Sequence, residues 1–599
     1  MNESYSEQLD MLFEDIKLPE KDYSTFLKID ISGIQDYIFH VQSDKAARTL
    51  KGRSFLVQAL GWLAEENIKQ AVNDDCYTIY NGGGNVYMLV NEEEALLDGM
   101  EGRLNDVLTP YSLYICISTV SYAAKDFRNC KRALEQQSAK DKQRKYQGQH
   151  EAFHSFELPR DLPDREEKNQ EDKWHVLTKQ LVKHKGYTIE TADGSQQDLL
   201  GADGVIRLGD FQLKIVRNPT EDKKLDKSIL VNLPTWDNDL LDDGRLKERI
   251  NKEYKRQAKR DGTPERTVEA GQILEFSVLA ALAGKRTGTP KLGILKMDVD
   301  NLGMVFGDLP DAQAMTYLSK AFKWFFEERF CEIWNEAFEY NCHARGSDGK
   351  YQTKGNPQKK PYSQNLYVVF AGGDDCFVLG GWDTILAFAD RIESEFQQFV
   401  LELKQHKRTE FLSDRKVTLS AGVELVGPKH PTILFARAAN EAIDTAKDYE
   451  KERKDEAGKL SNGKHRICLF NEALSWEDYR NCQTWRDRLA GLISSKRCNR
   501  SLFYRIQHSS AGFQEMPHPS ALQYKQDKFP EEWHLYHFLG RMRNTSSGTF
   551  KTVDELVKAY APALLKVYKN NGGNTHMTYP LAARLAEFST RTIKLSSDE

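Results

Sequence analysis

Two stretches of the chain repeat one pattern of apolar and polar positions. Residues 26–39 (FLKIDISGIQDYIF) and 292–306 (LGILKMDVDNLGMVF) each read as a buried strand ending in an acid, then a turn, then a short apolar segment. A strand, a glycine-rich turn and a second strand follow each of them, TIYNGGGNVYMLV at 78–90 and LYVVFAGGDDCFVLG at 366–380. Apolar runs split by such turns are hairpin signals. A third strand completes both sets, SLYICISTVSYAA at 112–124 and KVTLSAGVELVG at 416–427, each leading into a helical segment. One set could arise by chance, but two in the same order imply a duplicated α+β domain. After about residue 473 the glycine turns thin out. SWEDYRNCQTWRDRLAGLI and TVDELVKAYAPALLKVYKN carry apolar residues every three or four positions, which predicts a helical C-terminal part.

At 599 residues the chain is too long for one core and divides into about three or four domains. Forty per cent hydrophobic and 11% aromatic residues exclude a disordered chain. A formal charge of −5 excludes whole-chain electrostatic capture of nucleic acid, leaving local basic patches or partner subunits to make any such contact. Two basic, helix-permissive runs, RNCKRALEQQSAKDKQRKYQ and RLKERINKEYKRQAKRDGTPER, read either as solvated helix faces or as contacts to RNA phosphates. ARGSDGKYQTKGNPQKKPYSQ (344–364) reads as a loop or insertion. Nine scattered cysteines without a CxxC pair supply neither a disulfide framework nor a zinc ribbon. The N-terminus lacks a signal-type apolar run and no segment reaches ~18 apolar residues, so the expectation is a soluble, cytoplasmic protein.

The second hairpin carries the chemistry. Phosphoryl transfer between nucleotides uses two divalent ions about 4 Å apart, and Mg²⁺ or Mn²⁺ takes carboxylate oxygens. Asp374 and Asp375 at the hairpin tip and Asp298 at the end of the neighbouring strand supply that set, as metal ligands and catalytic residues. Asp300 points the same way if its strand continues, or into the turn if it does not. Gly372 and Gly373 permit the tight turn and let a triphosphate approach the backbone. GGDD alone is compatible with an ordinary solvated turn; behind the DVDN that ends with Asn301 it is a specific signal. Lys447 on a helix, and Lys464 and Arg466 at a strand entry, are either triphosphate contacts or surface bases. The first copy keeps Asp30, but its tip is Asn81-Gly82-Gly83-Gly84-Asn85 and lacks the carboxylates. It is expected to have lost metal catalysis and to hold a second nucleotide through Gly82, Gly83, Gly84 and Asn85. The fold class is thus α+β with two palm (ferredoxin-like, cyclase-like) domains. The first spans 1–195 with a charged insertion and the second 289–472, with a mainly helical domain at 196–288 and a helical one at 473–599.

With these residues in view, the chain resembles the large subunit of type III CRISPR effector complexes in its Csm-type form. The resemblance runs through IDISGIQDYIF…SDKAARTLKGRSFLVQAL, YNGGGNVYMLV, LGILKMDVDNLG, FAGGDDCFVLGGWD, VTLSAGVEL and KHRICLFNEALSWEDY, over about residues 25–480. The palm pattern is also similar to diguanylate cyclases, where the counterparts of AANEAIDTAK and GKHRI support Lys447, Lys464 and Arg466 as phosphate contacts. The resemblance implies an RNA-activated synthase of cyclic oligoadenylate from ATP, within a complex holding CRISPR RNA, target RNA, small subunits and repeat-RNA-binding subunits. It also assigns Ser420 to adenine contact, the alternative being a strand serine without a ligand. The acceptor need not be ATP, since some relatives join AMP to S-adenosylmethionine. The chain departs from the family's pattern in lacking a His-Asp dipeptide and the zinc cysteines between the palms, so no HD-type DNase activity is expected of it. The other readings are a non-enzymatic scaffold, disfavoured by the three retained acids, and a stand-alone GTP cyclase, disfavoured by the unequal halves and the helical C-terminal part.

Overall fold

The computed structural model describes residues 5–14, 16, 21–41, 46–91, 94–144, 164–184, 186–192, 198–216, 229, 232–261, 265, 267–346, 350–351, 357–448, 463–509, 537, 547–568 and 574–592. Parts of the charged stretches 127–175 and 217–270 and of the insertion 344–364 lie outside these residues. In the first unit, β1 (Thr25–Ser32), β2 (Cys76–Gly82), β3 (Asn85–Val90) and β4 (Tyr114–Ser121) form an antiparallel sheet in the order β2-β3-β1-β4. Six of the eight β1 residues are buried, as a central strand covered on both faces requires.

A small sheet follows, where the sequence pattern suggested a helical linker from 196. β5 (Gly186–Thr191), β6 (Ile206–Leu208) and β7 (Phe211–Val216) pair in the order β5-β7-β6. The signal is the turn at Gly209, whose φ of 58° admits a tight hairpin between two short apolar runs. Helices then take over. In Gly244–Asp261, Leu246, Ile250, Tyr254 and Ala258 are buried at four-residue spacing, while Arg245, Arg249, Lys252, Arg256 and Lys259 are exposed along the opposite side.

The second unit repeats the first. β8 (Leu292–Asp300) is its central strand, and β9 (Ala337–Tyr340), just before the insertion, pairs with β10 (Gln358–Pro361) inside it as a separate ribbon. β11 (Leu366–Gly372), β12 (Asp375–Gly381), β13 (Thr418–Val426), β14 (Arg466–Leu469) and β15 (Glu472–Ser475) complete the order β11-β12-β8-β13-β14-β15. Its first four strands match β2-β3-β1-β4. Both hairpins even carry an irregularity at the same place, between Thr78 and Tyr80 and between Val368 and Phe370.

Each unit closes the open edge of the other. Helix Ala46–Ala71 lies along β11, where Ser54 Oγ donates to the Val369 carbonyl at 2.7 Å and Lys51 Nζ to that of Val368 at 3.4 Å. The Tyr367 hydroxyl returns a bond to the Ala47 carbonyl. Helix Ala312–Trp324 lies along β2 and accepts from the Tyr77 hydroxyl through Thr316 at 3.4 Å. Carbonyls left without a ladder partner on a bulged edge strand are thereby satisfied, and the edges are covered. Beneath the second sheet, helix Trp476–Ser494 is stitched in by Trp476 Nε1 donating to the Leu419 carbonyl (2.9 Å) and the Tyr479 hydroxyl to that of Leu386 (2.7 Å). Among the described residues no helix is long and apolar enough to cross a membrane.

Candidate functional site

Side chains alternate along a strand, so Lys296, Asp298 and Asp300 project from one face of β8. The register sets Asp298 opposite Asp375 on β12 and opposite Ser420 on β13. Gly373, with φ of 69°, turns the chain at the hairpin tip, and the Val299 N–H donates to the Asp374 carbonyl at 3.0 Å, which ties the tip to β8. Asp298, Asp374 and Asp375 therefore gather at one end of the sheet. Burial pushes the Asp375 carboxyl up to about 7, the charge of Asp374 adds to this, and Lys296 acts the other way. Burial also raises Asp374.

Cations surround the acids. Lys447, at the end of helix Ile433–Asp448, forms an ion pair with Asp298. Burial and repulsion from Lys464 and Lys296 lower its ammonium, while the charge of Asp448 acts the other way. Lys464 Nζ donates to Asn301 Oδ1 at 3.0 Å, and Asn301 itself is left-handed (φ 64°) at the start of helix Leu302–Gly307. Arg466 opens β14 and is half-buried.

The donor set fits hard divalent cations. A half-buried carboxyl raised beside a second acid carries negative charge that a Mg²⁺ or Mn²⁺ ion relieves, and carboxylate oxygen is the ligand such ions take. No three His, Cys, Asp or Glu side chains converge on one point among the described residues; at Asp298 the protein's own cation, Lys447, stands beside the carboxylate.

Ser420 and Asp300 bond to each other across β13 and β8. Both are fully buried. Asp300 accepts from Thr418 Oγ1 (2.8 Å), from Ser420 Oγ (2.8 and 2.9 Å to its two oxygens) and from the His465 N–H (3.0 Å). Burial raises its carboxyl and these bonds oppose the rise. Through this bond Ser420 supports Asp300. Asp300 anchors the loop bearing Lys464, since His465 adopts a left-handed φ of 68° and its ring meets the buried Glu393 at 2.8 Å.

The first unit mirrors this arrangement without the acids. Asn85 stands opposite Asp30 as Asp375 stands opposite Asp298. Asp30 is paired with Lys142 at 2.6 Å and Lys28 at 3.6 Å, in the places that Lys447 and Lys296 take in the second unit. A side chain on Gly84 would meet Ile34 Cδ1 at 2.4 Å, so packing accounts for that glycine, and its φ of 81° does as well.

Between the two units lies a cavity of about 830 Å³. Gly82, Gly83, Asn85, Asn301, Gly373 and Asp374 line it, so parts of both hairpins and the turn after β8 share one space. Asp298, Asp375, Gly372, Lys447, Lys464, Gly84, Ser420 and Arg466 are not among its lining; Lys464 meets the lining residue Asn301 through a hydrogen bond. Lys131 and Tyr80 also line it, and the motifs gave no signal for either.

The comparisons with known proteins agree with this geometry. Residues 23–159 match the family model "Csm1 subunit domain B", and residues 291–457 match "Cas10/Cmr2, second palm domain". Two models of one protein match in order, on the two units. The chain belongs to the Cas10/Csm1 family.

A family relative from Methanocaldococcus jannaschii, named as the CRISPR system single-strand-specific deoxyribonuclease Cas10/Csm1 (subtype III-A), is 27% identical over 78% of this chain and 62% of its own length. The protein of the same name from Mycobacterium tuberculosis is 22% identical over 78% of this chain and 56% of its own. The chain thus spans about three-fifths of the length of these curated relatives. Among solved structures, an apo Csm1–Csm4 cassette superposes with a TM-score of 0.60 at 16% identity, covering 96% of this chain and 71% of that one. The cassette in complex with cA4 gives 0.59 at 16% identity, over 95% and 70%. The cassette in complex with one ATP gives 0.60 at 17%, over 96% and 70%. These likenesses establish the Cas10/Csm1 fold.

Proposed function

We propose that this chain is an RNA-activated palm nucleotidyltransferase of a type III CRISPR effector complex, joining ATP-derived nucleotides into a cyclic oligoadenylate. The observation that carries the reading is the Asp298–Asp375 cross-strand pair with Asp374 beside it, at a cavity that both units line. Csm1–Csm4 cassettes of the same fold have been solved with cA4 and with ATP, which supports the same ligand class here.

Asp298, Asp374 and Asp375 would hold Mg²⁺ or Mn²⁺, which when bound acidifies an attacking hydroxyl and offsets charge at phosphorus. The remaining work falls to the chain's own cations and backbone. Lys464, oriented by Asn301, and Lys447 supply positive charge for a triphosphate beside Asp298. Asp300 and Ser420 keep the Lys464 loop in place. In the first unit Asp30 keeps its lysines but the tip lacks the two acids, so that half offers the Gly82–Gly83 backbone and Asn85 to a nucleotide without metal chemistry. The expected partners are a Csm4-type subunit, CRISPR RNA, target RNA and small subunits.

The test is nucleotide conversion by the reconstituted complex with CRISPR RNA, Mg²⁺ or Mn²⁺ and ATP, with and without target RNA and S-adenosylmethionine, read by mass spectrometry. Target-dependent cyclic oligoadenylate that disappears in the Asp374→Ala, Asp375→Ala double variant supports the reading. A conjugate formed only with S-adenosylmethionine keeps the chemistry and changes the acceptor. No product under any condition refutes it.

A further inference from the structure

The two hairpins carry aromatic residues at equivalent positions. Tyr80 pairs with Tyr87 across β2 and β3 as Phe370 pairs with Phe377 across β11 and β12. Only the first unit's residue has a hydroxyl, and that hydroxyl reaches the second unit's tip. A Cβ built on Gly373 would lie 2.8 Å from the Tyr80 oxygen and 3.9 Å from Gly83 Cα. A Cβ on Gly82 would also stand 2.8 Å from that oxygen, and one on Gly83 3.7 Å from it. The phenol oxygen is therefore wedged where the two glycine tips meet. These glycines leave room for Tyr80 as well as for a nucleotide.

Burial, then the charges of Asp374, Glu327 and Asp375, raise the Tyr80 hydroxyl far above its ordinary range, so it stays protonated as a donor. Glu327 sits on a π-helical turn, Phe325–Arg329, and its Oε1 is 3.7 Å from a Cβ built on Gly372. Burial raises its carboxyl. Tyr80 also lines the inter-unit cavity beside Asn85 and Asp374.

We propose that Tyr80 is a positioning residue contributed by the non-catalytic palm, whose hydroxyl donates to a ribose or phosphate oxygen of the nucleotide held at the Gly373–Asp374 tip. This inference rests on the nucleotidyl-transfer reading. A neutral donor among acids tolerates an anionic ligand oxygen without the repulsion that a carboxylate would impose, and a hydrogen bond to a charged oxygen is among the stronger ones. The contact also makes the catalytic tip sensitive to the seating of the first unit, because Tyr80 rides on β2 and meets Gly373 in the turn between β11 and β12.

Tyr80→Phe is the test, and Phe370 already occupies the equivalent position of the second unit. Three quantities are measured on the wild type and the variant: melting temperature, affinity for a non-hydrolysable ATP analogue by calorimetry, and kcat and KM for ATP conversion in the reconstituted complex. The expected result is an unchanged melting temperature, with affinity or kcat lower by about tenfold. Affinity and both kinetic constants within about twofold of wild type overturn the proposal. Wild type that binds the analogue without making product sinks the transfer reading, while the affinity comparison still decides the Tyr80 contact. Wild type that binds no analogue overturns both.

Discussion

Asp375→Asn should stabilise the metal-free protein at alkaline pH. Burial and the Asp374 charge raise the Asp375 carboxyl from 3.8 to about 7, so the folded chain holds a proton that the unfolded chain releases. In that window the native state binds more protons, and stability falls as pH rises from about 4 to about 7. About three pKa units at ~1.4 kcal/mol each set a ceiling of roughly 4 kcal/mol above pH 7. Asp375 is only half-buried, so hydration reduces this to about 1–3 kcal/mol. For a domain of ~150–250 residues that corresponds to a rise in melting temperature of about 3–8 °C. Melting curves of wild type and Asp375→Asn with chelator, from pH 5 to 9, supply the comparison. The gap should widen with pH and level off above 7, and Mg²⁺ should close it by stabilising the wild type alone. A gap independent of pH, or an asparagine variant that melts lower at pH 8, would refute the argument that Asp375 carries an unrelieved charge.

Ser420→Ala should cost about 1–3 kcal/mol by stripping a bond from the buried Asp300 carboxylate, with the KM for ATP in the conversion assay within about twofold of wild type; an unchanged melting temperature with a large rise in KM would restore the adenine contact. Lys51, buried and lowered to about 8, binds its proton less readily folded than unfolded, so wild-type stability should rise between about pH 8 and 10 relative to Lys51→Met; parallel melting curves for the two proteins would contradict this. Alanine at Arg245, Arg249, Lys252 and Arg256 together should reduce the magnitude of the salt dependence of RNA binding by about 3–4 in log K against log salt, measured by filter binding or anisotropy. An unchanged slope would make that helix face a solvated one.

The strands and hairpins were legible because alternation and glycine turns are local signals, and the duplication followed from finding them twice. The acids Asp298, Asp374 and Asp375 gather at one end of the sheet because β8 and β12 pair in the register that their apolar runs demand. Long-range partners were not legible. Ser420 looks like any strand serine until β13 lies beside β8 and turns its hydroxyl to Asp300. Lys142 sits in a run of charges and acquires meaning only when the helix Phe127–Gln143 brings it to Asp30. Tyr80 reads as hairpin packing until the second unit is docked against it. The three-stranded sheet at 186–216 escaped because its strands are short and the stretch around them is polar.

The acid-free tip of the first unit gives the molecule a direction. Two nearly equivalent halves would let either end of a growing product occupy either side, and a symmetric pair could run the reaction both ways round. Here Asp30 and Asp298 each have a lysine partner, but only the second unit adds two acids, Asp374 and Asp375, at its tip. Under the proposed transfer, only the second unit's rim has the acids to hold an ion that activates a hydroxyl. Successive additions would then enter and leave with the same handedness, set by the acids that one hairpin carries and the other lacks.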